Sequence, residues 1–307
     1  MLPQTEVSQL KEEIMRLKKE RNAVIMAHYY QSPDVHEVAD FVGDSLELAR
    51  KAATTNADVI VLCGVHFMAE SAAILCPDKT VLLAEAQAGC PMADMVTGEM
   101  VRERKKQKPD MVVVSYVNTT AEVKAESDIC CTSANAVKIV QSIPEGKEIL
   151  FLPDRNLGSY VMKKTGRDMM VWDGFCCVHN RIKPEEITKA KQAHPSAIVL
   201  IHPECRPEVV SMADCVASTA GIIAFARQSE AKEFIVVTEV GILYQLRKAC
   251  PDKEFYLPSE TLLCANMKKI TAEKVKNVLE TMEPKIVIQT DIYEKALQSL
   301  KKMLAVG

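Results

Sequence analysis

Short, continuous apolar runs alternate with amphipathic segments along most of the chain. In the first third, apolar runs at residues 24–27, 58–62 and 81–84 predict strands, and the segments at 44–54 and 67–75 predict helices. Asp44 and Ser45 are suitable caps for the first of these helices, and Pro77 ends the second. Apolar runs without polar alternation predict strands buried on both faces, as in a parallel sheet that helices cover on both sides.

The same order of elements occurs twice more. Strands are predicted at residues 111–114, 148–152 and 169–172, and again at 197–201, 234–237 and 254–256. Helices are predicted between them at residues 132–142, 157–164, 218–226 and 242–249, and further amphipathic helices at 5–20, 98–108, 183–193 and in the tail from 271 to 304. This pattern predicts an α/β fold of three homologous three-layer αβα domains with parallel sheets.

Individual landmarks recur at nearly constant spacing, which indicates a triplicated unit. Three cysteines in loops after the third predicted strands, Cys90, Cys176 and Cys264, are 86 and 88 residues apart. Residues that end the first strands, Tyr30, Tyr116 and His202, are 86 and 86 apart, and residues at helix starts, Ser45, Ser133 and Thr219, are 88 and 86 apart. We therefore expect domains at residues 1–88, 89–174 and 175–269, in a pseudo-threefold arrangement around a central site, with the helices of residues 270–307 packed on the first domain.

Charge and composition exclude several classes of protein. The 307 residues carry a net charge of −3, so no basic surface for nucleic acid is indicated. No apolar run approaches the roughly 20 residues of a membrane span. The N-terminal segment is charged and lacks the features of a signal peptide, so we expect a cytoplasmic protein whose eleven cysteines are reduced.

The three spaced cysteines are candidate metal ligands. Structural zinc sites often use paired Cys-x-x-Cys ligands, and none of the three belongs to such a pair. Three isolated thiolates fit a [4Fe–4S] cluster with one iron that lacks a protein ligand and acts as a Lewis acid. The alternative is that they are ordinary core cysteines. Of the adjacent thiols Cys176 and Cys177, only one is expected to be a ligand, and the spacing slightly favours Cys176.

Polar residues at the carboxyl ends of the first strands are candidates for acid-base chemistry, because active sites of parallel α/β proteins gather there. Imidazole, phenol and carboxylate side chains can exchange protons when burial tunes their pKa values. The candidates are His28, Tyr30, Tyr116, His202 and Glu204. Ser45, Ser133 and Thr219 are either helix caps or, at the same helix starts, ligands of an anionic substrate.

Seven short blocks carry a resemblance to a known family. They are Ala27-His28-Tyr29-Tyr30, Ser115-Tyr116-Val117-Asn118, Thr132-Ser133-Ala134-Asn135, Gly174-Phe175-Cys176-Cys177-Val178-His179, Ile201-His202-Pro203-Glu204-Cys205, Ala217-Ser218-Thr219, and Cys264 through Met267-Lys268. Together they resemble quinolinate synthase, the A protein of NAD biosynthesis. The resemblance implies three αβα domains around a [4Fe–4S] cluster, and the condensation of iminoaspartate with dihydroxyacetone phosphate to give quinolinate, phosphate and water.

The resemblance also implies roles for individual residues. The cluster ligands fall on Cys90, Cys176 and Cys264, which resolves the choice at the adjacent thiols. The substrate-binding positions fall on His28, Ser45, Tyr116, Asn118, Ser133, His202, Glu204 and Thr219. We expect Tyr30 and Glu204 to move protons and His202 and Tyr116 to orient the intermediate. Two further cysteines that some members carry are replaced by Pro258 and Thr261.

Partners and rival functions follow from the same reasoning. The expected partners are the two small substrates, with a functional link to the L-aspartate oxidase or aspartate dehydrogenase that supplies iminoaspartate. A different hydro-lyase with the same open iron would share these motifs. A radical enzyme would need a compact Cys-x-x-x-Cys-x-x-Cys loop, and the sequence has none. A metal-stabilised scaffold would need no histidine or tyrosine at its strand ends.

Overall fold

The computed structural model describes residues 4–306, so the predicted ranges that begin at residue 1 and end at residue 307 extend beyond the described part of the chain. Within it, three sheets of four parallel strands share one strand order: β2-β1-β3-β4, β6-β5-β7-β8 and β10-β9-β11-β12. We call each sheet and its helices a unit. The predicted α/β class with three αβα domains is confirmed.

The first unit follows helix α1 (Gln4–Glu20). It contains β1 (Ala23–His28), α2 (Pro33–Val38), β2 (Phe41–Gly43), α3 (Ser45–Thr54), β3 (Val59–Cys63), α4 (His66–Leu75) and β4 (Thr80–Leu83). Every residue of β3 is buried, as expected of an apolar strand between two helical layers. Asp44 caps α3, because its carboxylate accepts the backbone N–H groups of Leu46 and Glu47 while Glu47 bonds back to the Asp44 amide.

The second and third units repeat this order. Helix α5 (Gly98–Gln107) leads to β5 (Val112–Tyr116), α6 (Ala121–Glu126), β6 (Ile129–Cys131), α7 (Ala136–Ser142), β7 (Ile149–Leu152), α8 (Arg155–Thr165) and β8 (Met170–Val171). Helix α9 (Pro184–Ala193) leads to β9 (Ile198–Ile201), α10 (Pro207–Val210), β10 (Cys215–Val216), α11 (Thr219–Gln228), β11 (Glu233–Val237), α12 (Ile242–Ala249) and β12 (Glu254–Tyr256). Two helices close the chain, α13 (Ala272–Thr281) and α14 (Thr290–Ala305).

Each unit has one strand more than the sequence pattern predicts. The missed strands β2, β6 and β10 have only three, three and two residues, which is too short to show a periodic pattern. Each is held by an aspartate: Asp40, Asp128 and Asp214 accept a backbone N–H of the first strand at 2.9, 2.8 and 2.8 Å. The three aspartates make the same bond in each unit, which supports the triplication. Helix α7 also begins later than predicted, because Asn135 instead holds a turn by accepting the Thr132 amide.

Strand register corrects one landmark of the sequence repeat. The pairs Ala27 with Val42, Ser115 with Cys130 and Ile201 with Val216 are equivalent in the three sheets. The residues that follow them, His28, Tyr116 and His202, are therefore equivalent, whereas equal spacing had matched Tyr30 with Tyr116. Tyr30 is instead the counterpart of Asn118 and Glu204.

The two C-terminal helices pack on different parts of the molecule. Helix α13 contacts α1, α2 and β3, all from the N-terminal part of the chain. Helix α14 contacts α4 of the first unit and also α6 and β6 of the second. The Asn135 amide reinforces this second contact by donating to the carbonyls of Met303 and Val306. The predicted domain limits themselves stay a prediction.

Candidate active site and metal centre

One cavity of about 80 Å³ receives side chains from all three units. In each sheet the order of strands reverses at the first strand, and such reversal points are where open parallel sheets bind ligands. Twelve residues singled out from the sequence line this cavity: His28, Tyr30, Ser45, Cys90, Tyr116, Asn118, Ser133, Cys176, His202, Glu204, Thr219 and Cys264. Their roles remain predictions, but the structure brings all of them to one place.

These twelve residues occupy four positions, each repeated in the three units. Strand register makes His28, Tyr116 and His202 one set, and Tyr30, Asn118 and Glu204, two residues further on, another. A third set lies at the starts of the helices that follow the short strands, and the fourth contains the cysteines. The sequence therefore specifies the site as a repeated frame that carries different side chains.

The three cysteine loops have the same backbone construction. Three-residue 3₁₀ helices begin at Ala93, His179 and Met267, each three residues after Cys90, Cys176 and Cys264. In each unit, the residue two positions before the cysteine accepts a hydrogen bond through its backbone carbonyl. The donor is the backbone N–H of a residue at or just before the start of the helix that follows the third strand. These bonds join Ala88 to His66, Gly174 to Arg155 and Leu262 to Val240, each at 2.8 Å. Cys176, not Cys177, holds the equivalent place, which agrees with the resemblance.

The three cysteines are half-buried, and their thiols are harder to ionise than that of a free cysteine. Burial raises the pKa of Cys90 to about 12, although the backbone amides of Ala93 and Met92 oppose the rise. Burial likewise raises the pKa of Cys176 well above its ordinary value and that of Cys264 more moderately. Thiolates at these positions need a nearby cation, and a bound metal supplies one.

The spacing of the sulfurs bears on which metal group fits. Among the described residues, the cysteine sulfurs do not form a group with all pairs within 4.8 Å. Two thiolates on one tetrahedral zinc ion, with Zn–S bonds of about 2.3 Å, would lie only about 3.8 Å apart. At least one pair of these sulfurs therefore lies further apart than two ligands of a single zinc ion would. A tighter group, Cys176, His179 and Glu204, does have its ligand atoms within 4.8 Å of one another.

A hydrogen-bonded chain connects Tyr30 of the first unit to Glu204 of the third. The Tyr30 hydroxyl lies 2.7 Å from Thr238 Oγ1 and 2.9 Å from Thr219 Oγ1. Thr238 Oγ1 lies 2.9 Å from His179 Nε2, and His179 Nδ1 lies 2.7 Å from Glu204 Oε2. Because a carboxylate only accepts, Nδ1 carries a hydrogen and the other ring nitrogen faces the threonine. This is the arrangement of a base held by an orienting carboxylate.

The two ends of this chain have opposite acidity. Burial raises the pKa of Tyr30 well above its ordinary value, so the phenol keeps its proton. Burial also opposes ionisation of Glu204, but His179, His202 and the Tyr116 hydroxyl together outweigh it and lower the Glu204 pKa. The cavity therefore holds a carboxylate on one side and a protonated phenol on the other, which is a suitable pair for proton transfer.

Two histidines in the cavity are neutral donors. Burial lowers the pKa of both His28 and His202 to about 3. His28 Nδ1 accepts the Tyr30 amide at 3.1 Å, and His202 Nδ1 accepts the Glu204 amide at 3.3 Å. The proton of each neutral ring is thereby assigned to Nε2. Both imidazoles can donate a hydrogen bond to an anionic ligand without carrying a charge themselves.

The cavity also has one buried polar atom without a partner among the described residues. Asn118 Oδ1 is buried, and among the described residues it has no hydrogen-bond partner. An unsatisfied buried acceptor is costly, so a ligand that supplies a hydroxyl or N–H donor would stabilise it. Ser45, Ser133 and Thr219 lie at or just before helix starts, where hydroxyls and backbone amides favour anions. An anion that also carries a donor fits this lining.

Sequence reasoning missed several residues of the site. His179 lies within one of the blocks that carry the resemblance, and its one sequence signal is its position three residues after Cys176. Thr238 and Glu239 are the first two residues after β11, and Asp154 holds the place of Glu239 after β7. No periodic pattern marks these residues. Lys268 ends the block that begins at Cys264, and nothing else in the sequence marks it. These residues act through contacts between units, which the sequence alone does not show.

The described part of the chain contains no helix that is both long and apolar enough to span a bilayer.

A family model described as "NadA: Quinolinate synthetase A protein" matches residues 12–305. The quinolinate synthase of Desulforudis audaxviator (strain MP104C) is 57% identical over 293 residues, which is 95% of this chain and 97% of the relative. That of Methanoregula boonei is 53% identical over 296 residues, covering 96% and 98% of the two chains. That of Caldicellulosiruptor saccharolyticus is 53% identical over 300 residues, covering 97% and 99%. The chain therefore belongs to the quinolinate synthetase A protein family, a family of enzymes of NAD biosynthesis.

Proposed function

We propose that this chain condenses iminoaspartate with dihydroxyacetone phosphate to quinolinate, with loss of phosphate and two molecules of water. The observation that carries the proposal is the convergence of the twelve predicted residues on one cavity. Both substrates are anions with hydrogen-bond donors. The neutral histidines, the helix-start hydroxyls and the unpartnered Asn118 oxygen suit such ligands.

Cys90, Cys176 and Cys264 would hold a [4Fe–4S] cluster in this proposal. Their places around one cavity and their common loop construction support a cluster with one ligand from each unit. When bound, the cluster supplies a Lewis-acidic iron that has no protein ligand and favours departure of a hydroxyl group. A single ion on Cys176, His179 and Glu204 is the alternative that the geometry offers. Sulfide analysis separates the two, because only a cluster contains inorganic sulfide.

The protein's own side chains provide the proton transfers. Glu204 starts as a carboxylate and is placed to take a proton from substrate carbon or nitrogen. Tyr30 keeps its proton on the phenol oxygen until a substrate oxygen or leaving group needs it. Thr238 links the phenol of Tyr30 to the acceptor nitrogen His179 Nε2, so a proton can pass between the phenol and the imidazole along the hydrogen-bonded chain. The substrate pair passes through carbon–carbon bond formation, ring closure and dehydration, and each of these steps moves protons.

Side chains around the cavity would orient the substrates. Ser45, Ser133 and Thr219 donate hydroxyls to carboxylate or phosphate oxygens, and His28 and His202 donate Nε2–H. Tyr116 keeps its proton, because burial and the neighbouring Glu204 carboxylate raise its pKa, and it would fix the direction of that carboxylate. Water is kept away from reactive intermediates because the cavity is narrow and its lining is largely buried.

The test supplies both substrates to anaerobically purified protein and measures quinolinate. Formation of quinolinate with equimolar phosphate is expected, and it would fall by about 10²- to 10⁴-fold in the Glu204→Gln variant at matched iron content. Undiminished turnover by Glu204→Gln would remove Glu204 from acid-base chemistry. If the wild-type protein makes no quinolinate but dehydrates simple hydroxy-acids, it is the different hydro-lyase that shares these motifs.

A further inference from the structure

Tyr30 is held from three sides by residues of the third unit and the loop beyond it. Its hydroxyl is bonded to Thr238 at 2.7 Å. Its carbonyl accepts a hydrogen bond from Lys268 Nζ. Its backbone lies so close to Gly241 that a Cβ there would come within 2.6 to 2.7 Å of Tyr30 backbone atoms. Only glycine permits this approach, so the position of Tyr30 depends on the segment after β11.

Glu239 joins that segment to the loop of Cys264. Its side chain is 1% exposed. Glu239 Oε1 accepts the backbone N–H of Cys264 at 3.0 Å, and Oε2 accepts that of Gly241 at 2.6 Å. The same carboxylate therefore fixes the backbone of a predicted cluster ligand and the glycine that contacts Tyr30.

Lys268 completes the connection. Its Nζ lies 2.9 Å from Glu239 Oε1 and also donates to the Tyr30 carbonyl. Its side chain is 23% exposed, so the ion pair is largely removed from water. One ion pair thus contacts both Tyr30 of the first unit and the Cys264 loop.

We propose that Glu239 and Lys268 are positioning residues that fix the Tyr30 hydroxyl relative to the metal centre at Cys264, an inference that rests on the proposed function of the cavity. Glu239 lines the cavity but acts through the backbone of Cys264 and through Gly241. Lys268 acts through the Tyr30 carbonyl. The pair would keep the first unit and the Cys264 loop at one fixed separation, which proton transfer between Tyr30 and a substrate in the cavity requires.

The second unit indicates that this ion pair is not a requirement of the fold. Asp154 occupies the place of Glu239. Strand register makes Leu152, the last residue of β7, equivalent to Val237, the last residue of β11, and each acid lies two residues further along the chain. Asp154 Oδ1 accepts the amides of Asn156 and Leu157 at 2.8 and 3.0 Å, and its Oδ2 has no hydrogen-bond partner among the described residues. A buried carboxylate after the third strand therefore exists here without a lysine.

Lys268→Met removes the bond to Tyr30 and leaves Glu239 buried without its counter-charge. Lys232→Met is the matched control, because Lys232 pairs with Asp252 on the surface, with 66% and 61% of their side chains exposed. We expect Lys268→Met to lower kcat by about 100-fold with little change in KM. We also expect faster iron loss to a chelator and an altered paramagnetic-resonance spectrum of the reduced protein. The control should match wild type in all three measurements.

A double variant separates positioning from simple stability. Lys268→Met with Glu239→Gln removes the uncompensated charge and keeps an acceptor for the Cys264 amide, so iron retention should return towards wild type. Its kcat should stay low, because nothing donates to the Tyr30 carbonyl. Lys268→Arg restores both the charge and a donor and should recover most of kcat. These two variants also serve if Lys268→Met alone does not fold.

The inference is wrong if wild type makes quinolinate and Lys268→Met keeps its kcat, iron retention and spectrum. It is equally wrong if the double variant regains full kcat, since the pair then acts only by stabilising the fold. A wild-type protein that binds no iron or makes no quinolinate would instead overturn the proposed function. Iron retention and the spectrum are measured without turnover, so the two failures are distinguishable.

Discussion

The two ends of the cavity use the threefold repeat in opposite ways. At the cysteine end, all three units present the same residue, in loops with the same 3₁₀ helix and the same 2.8 Å backbone bond. At the acid-base end, equivalent positions carry Tyr30, Asn118 and Glu204. The first end keeps the symmetry of the repeat, and the second has lost it.

The difference follows from what each end has to do. A metal cluster is bound by chemically equivalent ligands, so three copies of one loop are a direct solution. Proton transfer needs groups of different acidity, and the structure gives a high pKa to Tyr30 and a low one to Glu204 at equivalent backbone positions. The repeat thus supplies the frame, and the environment of each copy decides its chemistry.

Breaking the symmetric end should have the largest effect. Cys176→Ser removes one ligand of the expected cluster and should lower iron retention and quinolinate formation by more than about 100-fold. Cys177→Ser is the adjacent control, because Cys177 lacks the equivalent place in the loop. Iron and sulfide counts on anaerobic protein measure both. The assignment of Cys176 is wrong if both variants lose the same amount of iron, or if only Cys177→Ser loses iron.

Breaking the asymmetric end should have the next largest effect. Tyr30→Phe removes the proton from the hydrogen-bonded chain and should lower kcat by about 10²- to 10⁴-fold with iron content unchanged. Tyr30→Phe combined with Glu204→Gln should cost little more than either change alone, because the two groups serve one transfer chain. Steady-state kinetics at matched iron content check this. Fully multiplicative losses would show that Tyr30 and Glu204 act in separate steps.

The buried histidines should make stability depend on pH. His28 and His202 have an ordinary pKa of 6.5, and burial lowers it to about 3 in the folded protein. Between these values the unfolded chain binds more protons, so the free energy of unfolding should fall as pH falls, by about 1.4 kcal/mol per pH unit for each histidine. Above pH 6.5 neither histidine contributes a slope.

Urea unfolding of the apo-protein between pH 7.5 and about 5 measures this slope. Replacing both histidines by glutamine should flatten the pH dependence, whereas His66→Gln should not, because 47% of the His66 side chain is exposed. A slope that is unchanged in the double variant would show that other groups cause it.

The smallest effect is expected at the short edge strands. Asp40, Asp128 and Asp214 each accept one N–H of the first strand through their side chains, so each aspartate-to-alanine change should lower the free energy of unfolding by about 1 kcal/mol. The bond to the first strand is the same in each unit, and Asp40 and Asp128 also pair with Lys18 and Lys105 at 2.6 and 3.3 Å, so the three costs should agree to within about 1 kcal/mol. Chemical denaturation of the three single variants measures them. Strongly unequal costs would show that the units differ in stability where their geometry does not.

Much of the fold was accessible from the sequence because the first and third strands of each unit are continuous apolar runs. The repeat was also visible, and it predicted that three sets of residues, the spaced cysteines, the residues that end the first strands and those at the helix starts, lie around one central site. The short strands β2, β6 and β10 were missed because an aspartate side chain, not an apolar pattern, holds them. Tyr30 was wrongly matched with Tyr116 because equal spacing is a weaker guide than strand register where a unit gains or loses two residues.

The rest of the site depends on contacts between units that sequence order hides. Thr238 and Tyr30 are 208 positions apart in the chain, and Lys268 reaches Tyr30 from 238 positions away. Neither Thr238 nor Lys268 lies in a distinctive local sequence pattern. His179 was the exception, since a histidine three residues after a ligand cysteine could have been assigned a role.

The most direct test of the central claim is the metal content of anaerobically purified protein. If one thiol from each unit holds a shared cluster, the protein should contain about four irons and four sulfides per chain. Loss of any one of Cys90, Cys176 and Cys264 should abolish that content. Protein that carries a single metal ion without sulfide, or that keeps its full iron content after all three cysteines are replaced, would contradict the account.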